Sequence, residues 1–421
     1  MWCRSTHVGE VSKASQSEDP LLESTLALIA VGGTRAASVR MVAERSGGTP
    51  STIIYRYGSK EALITAALEV ARCRDRAWRE AALDALPAPT LEPTMFSGFL
   101  HAVVHADGAD HRTLSRVRWE CFLGTEFTGN HHALTTAWSS DHEEFWRNAL
   151  DVFSIDTDNA LLVAEFADAL ARLYLGTGSL LAYMAWAGEA SSRFAARLLR
   201  CEVEPQAKGA WRRAHLIDDL ARSGGSYDPD MPDVVQRIID TAARMVVQSG
   251  PQALTHRAVA SAAGVSLSST TYHFTSRAEI LRAACKQLYR AWVLRSGPPT
   301  LPTANHLSSN QVIERMLVAM FPEPGVVAPE QLAQQMVQLQ ASGDAELQRE
   351  LDDMRAAAGP ATTALLKRID GLDEAVDDLD GFCFATWVTG LARSTRLTQG
   401  SDCEAYMRER YKDGLQRLFG V

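Results

Sequence analysis

Leu267-Ser268-Ser269-Thr270-Thr271-Tyr272-His273-Phe274 decides the reading of this chain, because half a chain earlier Pro50-Ser51-Thr52-Ile53-Ile54-Tyr55-Arg56-Tyr57 repeats its pattern. Each stretch reads as a short helix with small hydroxyl residues on one side and aromatic residues at its end. Each follows a cap, Thr49 before Pro50 in one copy and Ser266 in the other, whose hydroxyl accepts from the first unpaired N–H groups. Working outward, Gly47 and Gly264 supply a tight turn, and before them lies a second short helix opened by Ser38 or Thr255. Its buried side is Val39, Val42 and Ala43, matched by His256, Val259 and Ala260. Further upstream the stripe Leu22, Leu26, Ile29 stops at Gly32-Gly33, and Ile239, Ala243, Val246 stops at Gly250-Pro251, with no gap needed between the copies. Downstream, Ser59-Lys60-Glu61-Ala62-Leu63 pairs with Ser276-Arg277-Ala278-Glu279-Ile280 as the start of a fourth helix. A helix, a tight turn and a helix thus occur twice.

The chain has 421 residues, 46% apolar and 22% charged, which suits several globular domains and not general disorder. Helix formers dominate and no stretch alternates with period two, so an all-α fold is expected. The net charge of −9 speaks against a protein basic over its whole surface. Window 20–72 nevertheless carries six cations against four acids, and window 233–285 five against three. The seven cysteines are scattered without a Cys-x-x-Cys pair, which fits a reducing compartment. The apolar segment 160–187 is interrupted by Glu165, Asp168 and Arg172, so no membrane span is expected. The expected location is cytoplasmic, on the nucleoid when DNA is bound.

These residues resemble the tetracycline-repressor (TetR) family of bacterial transcription regulators. The likeness rests on Gly264-Val265-Ser266, Thr271-Tyr272-His273-Phe274 and Ser276-Arg277, and on Gly47, Ile54-Tyr55-Arg56-Tyr57 and Ser59-Lys60-Glu61-Ala62-Leu63. In that family three N-terminal helices bind operator DNA, and a larger, variable helical domain binds a small effector and dimerises through its last two helices. The resemblance therefore implies two fused units. Their expected limits are a polar tail 1–19, a helix-turn-helix domain 20–65, a regulatory domain 66–203, a linker 204–232, a second helix-turn-helix domain 233–282 and a second regulatory domain 283–421. Helices are expected near 61–86, 93–106, 111–127, 131–153, 159–187 and 189–202, then 277–296, 308–320, 329–358, 360–369, 373–398 and 402–419.

A recognition helix in the major groove presents its N-terminal residues to base edges, while flanking groups hold phosphates. Thr49, Ser51, Thr52 and Arg56 in one copy, and Ser266, Leu267, Ser268, Ser269 and His273 in the other, are expected to face the groove. Ser38, Thr255, Tyr55, Tyr272, Lys60 and Arg277 are the phosphate candidates, the two cations because a positive helix end tolerates them only beside an anion. Tyr57 and Phe274 belong instead to the three-helix core. Val265 plugs the gap between the crossing helices, whereas Gly48 leaves it unfilled. The expected partners are double-stranded operator DNA and a small, apolar effector, with the chain acting as an intrachain pseudo-dimer on an asymmetric or near-palindromic operator; further homodimerisation stays open.

For the effector, Trp119, Phe122, Trp138, His142, Phe145, Arg172 and Tyr174 are candidates in the first half, and Met336 and Trp387 in the second. Most such aromatics simply fill a core. His101-x-x-x-His105-x-Asp107 has metal-ligand spacing, yet a polar helix end explains it better. No metal, cofactor or enzymatic motif is expected. The rival reading is an all-α scaffold or partner-binding protein whose helix-turn-helix modules have degenerated.

Overall fold

The structure, a computed structural model, describes residues 19–87, 91–123, 129–175, 180–201, 231–296, 306–323, 327–341, 345–397 and 402–421. The expected linker and most of the polar tail lie outside these residues, as does Gly176-Thr177-Gly178-Ser179.

Every long element among them is helical. The first half contains α1 (Pro20–Ala36), α2 (Val39–Ser46), α3 (Pro50–Tyr57), α4 (Lys60–Asp84), α5 (Phe96–Gly108), α6 (Arg112–Leu123), α7 (Gly129–Val152), α8 (Ala160–Leu175) and α9 (Leu180–Leu198). The second contains α10 (Asp233–Ser249), α11 (His256–Ala263), α12 (Leu267–His273), α13 (Arg277–Ser296), α14 (Ser309–Met320), α15 (Pro329–Gln340), α16 (Ala345–Leu366), α17 (Asp378–Leu397) and α18 (Asp402–Phe419). Several expected boundaries move; the helix expected over 329–358 ends as α15 at Gln340. Helix α9 runs through Gly188, where a Cβ would be in ordinary contact with the His101 ring at 3.6 Å. Helix α16 runs through Gly359-Pro360, where a Cβ on Gly359 would come within 2.9 Å of the Asp378 carbonyl. Glycine there serves close packing, not helix termination.

Each helix-turn-helix head packs onto the helical domain that follows it. Leu22, Leu26 and Ile29 of α1 share a core with Leu63, Ala67 and Ala71 of α4, and that core continues to Val117 and Cys121 of α6. In the second half Ile238, Ala242 and Val246 of α10 meet Ile280 and Ala284 of α13 and, farther on, Ala333 and Val337 of α15. Helix α1 breaks at Gly32 and Gly33, where φ of 69° at Gly33 leaves the helical region, and α10 stops at Gly250, φ 76°.

The two halves join through α8 and α9 against α17 and α18. One apolar cluster takes Phe166, Trp186 and Phe194 from the first half and Phe382, Phe384, Trp387 and Tyr411 from the second. Fully burying each such side chain contributes about 1.5–3 kcal/mol. Gly390 permits the approach, because a Cβ there would stand 2.2 Å from the Glu165 carbonyl oxygen. The ion pairs across this seam are reciprocal. Glu165 of α8 receives Arg410 of α18 at 2.6 Å, and Asp380 of α17 receives Arg193 and Arg197 of α9 at 2.9 and 2.7 Å. Each half thus gives an acid from one helix and an arginine from the next, the self-complementary pattern of a two-fold contact.

Candidate nucleic-acid interface and effector contacts

The local chemistry of the two heads follows the caps. The Ser38, Thr49, Thr255 and Ser266 side chains accept from the N–H groups of Met41, Thr52, Ala258 and Ser269. Each such cap contributes about 1 kcal/mol. A hydroxyl that accepts in this way still has its own proton to give; Thr49 also shares a bond with the Thr52 hydroxyl, at 3.0 Å, and Ser266 one with the Ser268 hydroxyl, at 2.9 Å. Gly47 and Gly264 end α2 and α11 in the left-handed region, φ 70° and 65°, which turns the chain into α3 and α12. Ile53 and Thr270 hold these two helices against the core, and Phe274 closes the second head.

What remains outward is the expected surface. Tyr55 is 91% exposed and Tyr272 82%, far above the usual exposure of a tyrosine ring, and Ile54 and Leu267 are also exposed. Ser51, Thr52, Ser268 and Thr49 are exposed beside them, and Ser269 and His273 are half-buried. Lys60, the first residue of α4, makes no ion pair among the described residues.

Two cations depart from expectation. Arg56 forms a two-pronged bond to Asp19, at 2.7 and 3.2 Å, and the same carboxylate caps α1 and takes the Tyr57 hydroxyl. The reason is that Asp19, read as tail, is buried at the start of α1 and needs a cation. Arg277 donates to the carbonyls of Pro251 and Leu254, at 2.8 and 2.9 Å, so backbone oxygens and not an anion balance its charge at the start of α13. Both arginines tie heads together; neither is a free arm towards a phosphate. At Gly48 a Cβ would make ordinary contact with Ser46 Oγ and Leu21 Cδ2, at 3.4 and 3.9 Å, so the place that the half-buried Val265 takes in the second head carries no side chain in the first.

The effector candidates do not line one pocket. Trp119 and Phe122 of α6 meet Met336 and Leu339 of α15, and the Arg172 guanidinium lies over the Trp119 ring at 5.3 Å. Arg172 also bonds Gln338. Phe145 and Tyr174 lie in the large core against Trp146 and Tyr183. Trp387 donates to Glu165 in the seam between halves, at 2.9 Å.

Trp138 and His142 join a buried ion network that the sequence reading missed. Asp75 of α4 accepts from Trp138 at 2.6 Å, from Arg118 at 3.0 Å and from Trp78 at 2.8 Å, and the His142 ring spans Asp75 and Asp168 at 2.7 and 3.0 Å. Arg79 bonds Asp107 at 2.6 Å, and Ser115 bonds it at 2.9 Å. The spacing Asp75-x-x-x-Arg79 on one helix face was the available signal, but an i, i+4 pair ordinarily marks a solvated face. Asp107 is thereby spent on guanidiniums, and among the described residues no group of three or more ligands could hold a metal ion.

Burial alone would raise Asp75 and Asp107, but Arg79 and Arg118 hold both below the usual carboxylate range. Burial, helped by the same arginines and opposed by Asp75, drives His142 down to about 3. The sign of the pH dependence follows. Between about 6.5 and 3 the unfolded ring is protonated and the folded one is not, so stability falls as the pH drops through that window. The two aspartates act in the same direction: their stabilisation is present above the unfolded carboxylate pKa and is lost as the pH falls towards the folded one. Thermal unfolding at a series of pH values should show the first half melting earlier with acid, and His142→Gln should flatten the part above about pH 4.

An all-α chain carrying two capped, solvent-facing helix-turn-helix heads belongs to the class of helix-turn-helix proteins. The family model for bacterial regulatory proteins of the tetR family matches it twice, at residues 21–67 and 238–284, one match on each head. The two heads are therefore tetR-family DNA-binding domains repeated in tandem, the domain of a family of DNA-binding transcriptional regulators. No curated protein matches it significantly. Among the described residues no helix is long and apolar enough to cross a membrane.

Proposed function

We propose that the chain is a ligand-responsive repressor that binds operator DNA as a covalent pseudo-dimer, one head to each of two unlike half-sites. The observation that carries this reading is the exposure of Tyr55 and Tyr272 on capped recognition helices in both heads. An aromatic ring left in water twice at the same place in a repeat is costly unless a partner covers it, and a phosphate with its sugar is such a partner. Neither α3 nor α12 offers a free arginine, so base reading rests on hydroxyls, thymine methyls and bridging water. For the effector, Trp119, Phe122, Arg172 and Met336 are the candidates that gather at one place. Beside them on α15, Gln335 is buried with neither polar atom of its amide bonded, which suits a small apolar ligand carrying one polar group.

Affinity measured against salt tests the DNA half of this proposal. The logarithm of the binding constant should fall linearly with the logarithm of salt concentration, and Tyr272→Phe, which removes one phosphate donor without touching the core, should weaken binding to all sequences alike. Binding that is insensitive to salt and to Tyr272→Phe would favour the scaffold reading.

A further inference from the structure

The repeats also meet outside the four-helix seam, at a contact that arginines organise. Arg35, at the end of α1, donates to the carbonyl of Ser249, the last residue of α10, at 2.8 Å. These are the equivalent helices of the two heads, touching end to end. Arg116 of α6 lies beneath, buried, with Nε donating to the Ala30 carbonyl at 2.6 Å and Nη2 to the Leu339 carbonyl at 2.7 Å. The break at Gly32 and Gly33 interrupts the helical pattern that would otherwise occupy the Ala30 carbonyl, and Leu339 lies in the last turn of α15. One guanidinium therefore caps a helix of the first head and a helix of the second half together. Cations are favoured at helix C-termini, and a rigid planar guanidinium with five N–H donors reaches acceptors on two sides at once, whereas an ammonium is a compact charge on a flexible stem. A Cβ on Gly33 would stand 2.8 Å from Glu120 Oε2 of α6, and one on Gly32 would be in ordinary contact, at 3.8 Å, with Gln252 of the second head.

We infer that Arg35 and Arg116 are positioning residues that fix the distance and rotation between the two recognition helices, and so set the spacer length that the operator must have. The inference rests on the DNA-reading proposal above. One base pair added between half-sites turns one of them by roughly 36° about the duplex axis, so a rigid pair of heads rejects it. Arg116→Lys keeps the charge but cannot fork to two helices, and Arg35→Ala removes the exposed bond to Ser249.

The test is equilibrium binding of the full-length protein to duplexes carrying its selected half-sites, with the spacer varied one base pair at a time. Wild type should prefer one spacer by at least about tenfold, the cost of a mismatched base pair. Both variants should compress that preference to less than about threefold while keeping affinity for an isolated half-site. A purely structural role would instead lower affinity at every spacer equally. Arg35→Ala keeps the test decisive should Arg116→Lys melt early. An unchanged spacer profile in the variants overturns the inference alone; wild type that selects no DNA overturns the function on which it rests.

Discussion

Ser268→Glu should lower affinity for the selected operator by about 10²–10⁴-fold, and Ser51→Glu should do the same. The two serines occupy the second position of α12 and α3, and both are exposed. A glutamate there is tolerated by the fold, since acids suit the first turn of a helix and glutamate is a better helix former than serine. It would nevertheless face base acceptors and phosphates, so it disables one head. Losing one of two linked heads removes the whole gain from linkage, which is why a single exposed change has so large an effect. Circular dichroism on the same samples should show unchanged helicity. If Ser51→Glu binds as well as wild type, the first head is not reading DNA, and glycine at position 48 in place of Val265 becomes the mark of a module in decay.

Arg118→Met should destabilise the first half by about 3–5 kcal/mol, the cost of stranding buried charge. Arg118 is fully buried and separates Asp75, Asp107 and Asp168, reaching them at 3.0, 3.4 and 3.2 Å. Methionine fills much of the volume but leaves the carboxylates facing each other with Arg79 as the remaining guanidinium. A domain of this size loses roughly 2–4 °C of melting temperature per kcal/mol. Calorimetry should therefore show the first-half transition falling by about ten degrees, with the second-half transition less affected. An unaltered melting profile would mean that the network contributes nothing to stability.

The repeat, the caps and the turn glycines were legible because they are local: a hydroxyl before a helix and a glycine after one act within four residues. Phe274 is buried as expected and Tyr57 is half-buried against the core, while Tyr55 and Tyr272 lie outside as the same local periodicity implied. Long-range pairing was not legible. Asp19 read as tail because its partner Arg56 lies across the fold, and Arg277 read as a phosphate arm because the carbonyls it serves belong to a turn 23 and 26 residues earlier. The ion network escaped for a related reason: Asp75, Asp107, Arg118, His142 and Asp168 come from five helices, and no spacing in the chain announces that they meet. The aromatics named as effector contacts were correctly read as buried, but burial does not tell a pocket lining from a core, and they divide among a core, a seam, an ion network and one interdomain cluster.

The central claim is that one chain carries two different reading heads. Selection of bound duplexes from a random pool, run in parallel with wild type, Ser51→Glu and Ser268→Glu, tests it most directly. Wild type should enrich two unlike half-sites at one fixed spacing, and each variant should retain only the half-site of its intact head. A single perfect palindrome, or the same half-site surviving in both variants, would contradict it.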